Sequence, residues 1–493
     1  MRGWGSRLIV LLAAVVVGVA GLPGTAPPAQ AAAGEVVSIR SHNFPNAYFR
    51  HADWLGRIAD VFPDSADLVK EDATWELRPG LANSSCLSLE ARNYKNHYLR
   101  HRNGEVVLER QSEDFGFRQD ATFCKVPGLA DANGFSLRAL QFPNAYLRHA
   151  FGLLKLNDYD GGELFRQDAT FHTAAPWITG RFYNPILNAG ADPSMVIHNG
   201  QYNLVQGDFY NDDDIVIRQA STVEGLRTAT PHVVWRNPAC PAVACKEIWA
   251  PELQRIGDRW WIFFTGQDGS GGHTHRMYAL RSTTSEITSR YDFLGEQKLP
   301  GDTWAIDGTY LTHQGKDYYL WSGWESQSAN RVQHLYIARM QDPMTPIGDR
   351  VRISSPTQPW ETVPNGLGIL INEGPQPIVA PNGRLSVVYS ANGSFTNDYC
   401  LGRLTLDGDP MNPASWTKSG GSVFSGVHTA TSPGHNGFVT IGGRPWIVYH
   451  ANMDPGTGWP GRSVRIQPMS FDAAGLPVLG VPTYIHQGIP LPS

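Results

Sequence analysis

One motif returns twice along this chain and limits what the chain can fold into. Asn46-Ala47-Tyr48-Phe49-Arg50-His51 comes back as Asn96-His97-Tyr98-Leu99-Arg100-His101, then as Asn144-Ala145-Tyr146-Leu147-Arg148-His149. The tyrosines are 50 and 48 residues apart. A second motif trails each copy at a constant step of 48 residues: Asp72-Ala73-Thr74-Trp75, Asp120-Ala121-Thr122-Phe123 and Asp168-Ala169-Thr170-Phe171. Units this small cannot bury an apolar face alone, so they must pack on one another. Short strands with Gly and Asn turns then predict a pseudo-threefold β domain over residues 36–175. The repeated His and Asp admit two readings. They satisfy buried backbone groups and hold turns together. Alternatively each unit carries a sugar pocket, with a carboxylate accepting from two hydroxyls beside an imidazole.

A chain of 493 residues is too long for one core. After Ala174-Ala175-Pro176-Trp177 there is no long linker, so a second domain over 178–493 is expected close by. Its rhythm is different. Glycine turns at Gly200, Gly257, Gly315, Gly383 and Gly443 each lead into an aromatic-rich strand, at steps of 57, 58, 68 and 60 residues. Each step holds one four-stranded blade, and five of them predict a five-bladed β-propeller. The pattern alone leaves a sandwich or barrel open.

Counting back eight residues from the turn glycines reaches Asp192, Trp249, Asp307 and His435; ten before Gly383 is Glu373. Equivalent positions on propeller blades surround one axis, so this register gathers these side chains at a hub. Converging carboxylates cost free energy through desolvation and repulsion, and that cost is usually kept at functional sites. Each acid taken alone also fits an exposed hairpin. Glycosidic bond cleavage needs one protonated carboxyl and one carboxylate on opposite faces of a sugar, and a neighbouring acid can raise the first one's pKa.

Asn-x-Tyr-Leu-Arg-His followed by Asp-Ala-Thr-Phe resembles the arabinofuranose-binding modules of carbohydrate-binding family 42. The resemblance implies a β-trefoil, with His51, His101, His149, Asp72, Asp120 and Asp168 as sugar contacts, and it supports a Cys86–Cys124 bridge. Ala191-Asp192-Pro193, Trp249-Ala250-Pro251-Glu252, Ile306-Asp307-Gly308 and Glu373-Gly374-Pro375 resemble, in that order, the signatures of glycoside hydrolase family 43. That resemblance covers about residues 180 to 490 and implies an inverting arabinofuranosidase, arabinanase or xylosidase. It implies Asp192 as general base, Glu373 as general acid, and Asp307 as the group that raises and orients Glu373. Gly434-His435-Asn436-Gly437 resembles a channel segment whose histidine lies near a structural calcium, although one imidazole is a poor calcium ligand set. Gly461-Arg462-Ser463 resembles a sugar-contacting arginine segment, with Arg465 as a competitor and a surface arginine as the plain alternative. Trp249, Phe209 and Trp304 are candidate pocket walls or core residues. The expected activity is exo-α-L-arabinofuranosidase on arabinan or arabinoxylan. The alternatives are an endo-arabinanase or β-xylosidase, or a polysaccharide-binding protein without catalysis, which the intact acid set argues against.

The N-terminus reads as a secretory signal over 1–31: Arg2 and Arg7, an apolar run from Leu8 to Ala20 too short to span a bilayer, and Ala29-Gln30-Ala31 as a small-x-small cleavage site. A secreted monomer is therefore expected. Export permits disulfides, and we pair Cys86 with Cys124 and Cys240 with Cys245, leaving Cys400 as a buried inert thiol. The absence of any C-x-x-C pair argues against a zinc-cysteine site. With 41% hydrophobic residues the chain is globular. A net charge of −5 with no basic run argues against nucleic acid or a membrane surface as partner.

Overall fold

The computed structural model describes residues 34–207, 214–237, 243–270 and 273–492. The signal segment, Phe209 and Cys240 lie outside the described residues. Among the described residues no helix is long and apolar enough to cross a membrane.

The threefold repeat becomes three units of four strands. They are Glu35–Ser41, Ala47–Ala52, Leu55–Asp60 and Trp75–Pro79; Leu87–Ala91, His97–Arg102, Glu105–Arg110 and Phe123–Pro127; and Phe135–Ala139, Ala145–Ala150, Leu153–Asp158 and Phe171–Ala174. Each unit has one six-residue helix before its last strand, ending on the repeated aspartate at Asp72, Asp120 or Asp168. The last strand of each unit pairs antiparallel with the first strand of the next, and the third unit returns to the first. Period-two alternation explains the core. In Ala47–Ala52, Phe49 and His51 face inward and Tyr48 and Arg50 outward. Phe49, Leu99 and Leu147 are the matching fully buried residues, closed over by Trp75, Phe123 and Phe171. Truncating Phe49 to alanine there would cost about 3–5 kcal/mol. Cys86 is bonded to Cys124 as expected. Cys245 is also disulfide-bonded, and Cys400 is a buried free thiol.

The second domain is a five-bladed propeller. Its inner strands are Ala191–His198, Lys246–Ile256, Ala305–His313, Leu370–Val379 and Thr431–Ile441. Each inner strand touches the next, and the first touches the fifth, which closes the ring. The sequence also accounts for the packing between blades. Ile262 and Phe264 point into the core shared with the first blade, whereas Trp261 and Phe263 point into the core shared with the third. In the same way one hydrophobic core fills each of the five gaps between blades.

The fifth blade differs from the expected four strands: it has three, Thr431–Ile441, Arg444–Asn452 and Arg462–Pro468. Its outer edge is covered instead by chain entering from the first domain. Ile186 N–H donates to Val464 O at 2.9 Å, and Leu187 forms an isolated bridge with Val464. A covered edge does not need a fourth strand.

The domains meet through charge. Glu90, fully buried, accepts from Arg78 of its own domain and from Arg227 of the propeller, each at 2.8 Å. Burial alone would raise its pKa, but Arg227, Lys95 and Arg78 outweigh it and pull it down to about 2. Arg181 pairs with Glu71 at 3.1 Å, and Tyr94 stacks on His486 of the C-terminal segment.

Candidate active site

Every inner strand is bulged at the same register. Two of its residues oppose one residue of the second strand: Asp192-Pro193, Ala250-Pro251, Asp307-Gly308, Gly374-Pro375 and His435-Asn436. The first of each pair has φ between 42° and 56°. A bulge re-aims side chains and leaves the inserted residues outside the ladder. Prolines 193, 251 and 375 are therefore tolerated in interior strands. Glycine is required at two close approaches. A Cβ at Gly308 would lie 2.2 Å from the Tyr319 hydroxyl oxygen, and one at Gly434 would lie 2.0 Å from Tyr399 Cε1.

The hub expected from the sequence therefore exists, with one correction. Trp249 and Glu373 stand one residue before the left-handed position that Asp192, Asp307 and His435 occupy. The left-handed residue of the second blade is Ala250, and that of the fourth is Gly374. The second blade turns at Gly257-Asp258, where glycine takes the first turn position. In Asn199-Gly200 and Gln314-Gly315 it takes the second. Counting from the glycine thus lands one residue early. The fourth blade has a five-residue turn, 380–384, which lengthens its count.

Asp192, Asp307, His435 and Arg462 converge. His435 Nδ1 lies 3.4 Å from Asp192 Oδ1 and 3.8 Å from Asp307 Oδ2. Arg462 NH1 lies 3.3 Å from Asp192 Oδ1. Asp192 N–H donates to His450 Nδ1 at 3.1 Å. Glu373 accepts the Tyr399 hydroxyl at Oε1, 2.8 Å away. Asp307 Oδ2 accepts the N–H of Gly374, the residue after Glu373, at 3.0 Å.

The electrostatics split the three acids. Burial works to raise the pKa of Asp192, but His435, Arg462 and His450 prevail and hold it well below the usual carboxylate range. Burial raises Glu373 to about 7, against the Tyr399 hydrogen bond and with help from Asp192. Burial, then Glu373 and Asp192, push Asp307 well up as well. At neutral pH one carboxylate is thus secured as an anion, while a neighbouring pair resists full ionisation. Burial lowers the pKa of both His435 and His450.

The other expected residues fall as follows. Arg465 is fully buried and donates to Thr429 O at 2.6 Å, Ser463 Oγ and Thr483 O, so it anchors the C-terminal segment and Arg462 is the arginine of the site. Trp249 is 36% exposed, with its ring stacked on His275 at 4.4 Å. Trp304 is only 5% exposed and stacks on Trp324. It is a supporting residue, not a wall: its Nε1 donates to His275 Nδ1 at 3.0 Å.

The sequence reading missed Tyr399 and His450, which hold Glu373 and Asp192. It also missed Trp459, exposed beside the site, whose carbonyl accepts from Arg462 Nε at 3.2 Å. Glu252 closes the Trp249-Ala250-Pro251-Glu252 motif. It follows the second blade's bulge and accepts Gln376 Nε2 at 3.1 Å; burial lifts its pKa to about 7. His450 was recoverable by register, since it lies opposite Gly434.

In the first domain each repeated aspartate meets its own unit's arginine and histidine. Asp72 pairs with Arg50 at 3.0 Å and faces His51; Asp120 pairs with Arg100 and Asp168 with Arg148, each at 2.7 Å. A side-chain amide joins each from another unit: Asn93 on Asp72, Gln141 on Asp120, Asn43 on Asp168. An aromatic ring follows each amide and edges onto the histidine: Tyr94, Phe142 and Phe44.

Residues 182–477 match the family model for glycosyl hydrolases family 43, and residues 37–173 match that for the alpha-L-arabinofuranosidase B (ABFB) domain. The chain is 33% identical over 323 residues to an extracellular exo-alpha-(1->5)-L-arabinofuranosidase of Streptomyces avermitilis, covering 63% of this chain and 65% of that protein. It thus spans just under two thirds of that relative's length. It is 32% identical over 279 residues to a protein of the same name from Streptomyces chartreusis, covering 55% of this chain and 83% of that one. The crystal structure of alpha-L-arabinofuranosidase from Lactobacillus brevis superposes with a TM-score of 0.57 at 30% identity, covering 62% of this chain and 97% of that one. The matched propeller is three fifths of the chain and carries the bulged acid hub, so the chain belongs to glycosyl hydrolase family 43, with an ABFB domain on its N-terminal side.

Proposed function

We propose that this protein is a secreted inverting α-L-arabinofuranosidase that releases arabinose from arabinan or arabinoxylan and acts as a monomer. The observation that carries the reading is the split of the buried acids: Asp192 kept ionised beside Arg462, Glu373 kept protonated up to about pH 7 by burial. Asp192 takes a proton from water, and the oxygen of that water attacks the anomeric carbon. Glu373 gives its proton to the departing glycosidic oxygen from the opposite face. Asp307 acts through the backbone: by accepting Gly374 N–H it fixes the bulge that carries Glu373. Arg462 steadies the base. Trp249, backed by His275, offers a face for a sugar ring.

The same reading makes the first domain a β-trefoil that holds arabinofuranose side chains at the three Asp–His–Arg clusters. Several weak sites on one polymer would add through multivalency. It also keeps calcium as a structural ion at His435. The fit is thin: Nδ1 already faces Asp192 and Asp307, which leaves Nε2 as the one imidazole donor for a cation that favours six to eight oxygens. Water would supply the rest, and no step of the reaction passes through the ion.

Product analysis on debranched linear arabinan and on arabinoxylan, run separately, tests the activity. Arabinose as the sole early product, released with inverted anomeric configuration by NMR, is expected. Short arabino-oligosaccharides would make the protein an endo-arabinanase, and xylose a xylosidase. Binding of either polymer without sugar release would make it a binding protein.

A further inference from the structure

Three donor atoms converge in the first domain, away from the acid hub. His42 Nδ1 lies 3.1 Å from His172 Nε2. Asp131 Oδ2 lies 3.8 Å from the same nitrogen. All three atoms fall within 4.8 Å of one another, and all three residues are partly exposed. Among the described residues no other three His, Cys, Asp or Glu side chains converge this closely.

The local chain explains the convergence. His172 is the second residue of Phe171–Ala174, where it pairs with Arg40. His42 directly follows the paired strand, and its N–H donates to Thr170 O at 3.0 Å. Asp131 sits in the turn between the second and third units. Its Oδ1 accepts Asn133 N and Nδ2 at 3.0 and 3.1 Å, so Oδ2 is the oxygen turned to His172. Gly134 gives the ring room: a Cβ there would lie 3.0 Å from His172 Cε1.

Two ligand atoms on one tetrahedral zinc, with bonds near 2.0–2.1 Å, lie roughly 3.3–3.4 Å apart. The imidazole nitrogens, 3.1 Å apart, would open by about a quarter of an ångström to reach that edge, and the carboxylate would close on His172 by about half an ångström. Two imidazoles and one carboxylate suit a first-row divalent ion and not calcium or magnesium, which favour oxygen.

A shared N–H between the two rings explains the His42–His172 contact alone. It does not explain why only this junction has it. Arg92 and Leu140 stand where His42 stands, one residue past the first strand of their units; Glu76 and Cys124 stand where His172 stands, second in the last strand. At one of those junctions Arg92 faces Glu76 at 3.7 Å. At the other Cys124 is bridged to Cys86. The threefold scaffold therefore does not require imidazoles there: one junction carries an ion pair, and at the other Leu140 offers no ligand atom while Cys124 is tied to Cys86 within its own unit.

We infer that His42, Asp131 and His172 form a binding site for a tetrahedral first-row divalent cation, zinc fitting best, that ties the first unit to the third and closes the ring of repeats.

The test uses the full secreted chain, free of any histidine tag and stripped by chelator, in equilibrium dialysis against zinc at micromolar concentration. The native protein is expected to bind one zinc per chain more than His172→Gln or His42→Gln, with the affinity of this site falling at least about tenfold in either variant. Zinc should raise the thermal midpoint of the native protein and not of the variants. Cobalt in place of zinc should give the intense visible bands of a four-coordinate ion only in the native protein. Two variants guard against one failing to fold, which the metal-free melt reports. Equal zinc uptake by native protein and both variants, or no uptake by the native protein, would overturn the inference.

Discussion

The Tyr399 hydroxyl donates to Oε1 of Glu373 across 2.8 Å, both groups buried in the propeller hub. This bond stabilises the ionised carboxylate and so opposes the burial that lifts Glu373 to about 7. Tyr399→Phe removes the donor, and the pKa of Glu373 should climb further. A general acid works only while protonated, so the basic limb of kcat/KM should move up by roughly one pH unit. A basic limb that stays where it was would mean that another group sets it.

Glu373→Gln should separate activity from stability. The folded pKa is raised from an ordinary 4.5 to about 7. Between those values the unfolded chain has released a proton that the folded chain keeps, so stability falls as pH rises through that window. Glutamine removes this loss. Turnover should drop by about 10²–10⁴, while unfolding free energy at pH 8 rises by about 1–3 kcal/mol. Near pH 4 the two proteins should melt alike. Denaturant unfolding at both pH values checks this, and a variant less stable than the native chain at pH 8 contradicts it.

The architecture was legible because it repeats. Three copies of Asn-x-Tyr-x-Arg-His and five turn glycines fixed the unit sizes, and counting back from the turns reached Asp192, Asp307 and His435 directly. The count slipped by one at Trp249 because a turn glycine can take either of two positions in a two-residue hairpin, and sequence does not say which. His450 and Tyr399 were harder for another reason. His450 reaches Asp192 across 258 residues of chain, and Tyr399 lies in a loop before a strand. Tyr399 carries no local pattern, and only the register opposite Gly434 points to His450. The missing fourth strand of the last blade was likewise hidden, since a segment at the start of the domain covers that edge.

His275 should govern sugar binding without taking part in bond cleavage. Trp304 Nε1 donates to its Nδ1, which puts the ring proton on Nε2, facing Glu247 Oε2 at 2.6 Å. The fixed ring then backs Trp249. His275→Ala removes that support, and a stacked aromatic pair is worth about 0.5–1.5 kcal/mol. KM on an aryl arabinofuranoside should rise by roughly 2–10-fold, with kcat changed by less than about twofold. A fall in kcat at constant KM would instead assign His275 to the chemistry.

The three clusters of the first domain should not bind polymer equally. Phe44, beside the Asp168 cluster, is 53% exposed, and Phe142, beside the Asp120 cluster, is 47% exposed. Their counterpart beside Asp72 is Tyr94, which is stacked against His486 of the propeller's C-terminal segment and ringed by Trp54 and His97. A sugar ring needs an aromatic face not already covered. Asp120→Asn and Asp168→Asn should therefore each weaken pull-down on arabinoxylan by several-fold, and Asp72→Asn should weaken it less. Hydrolysis of a small soluble arabinofuranoside should not change in any of the three, because these clusters touch none of the propeller's acids. If Asp72→Asn costs as much binding as the others, the Tyr94–His486 stack opens in solution and the third cluster is available. If none of the three alters pull-down, the repeated Asp–His–Arg sets hold the domain together and do not bind sugar.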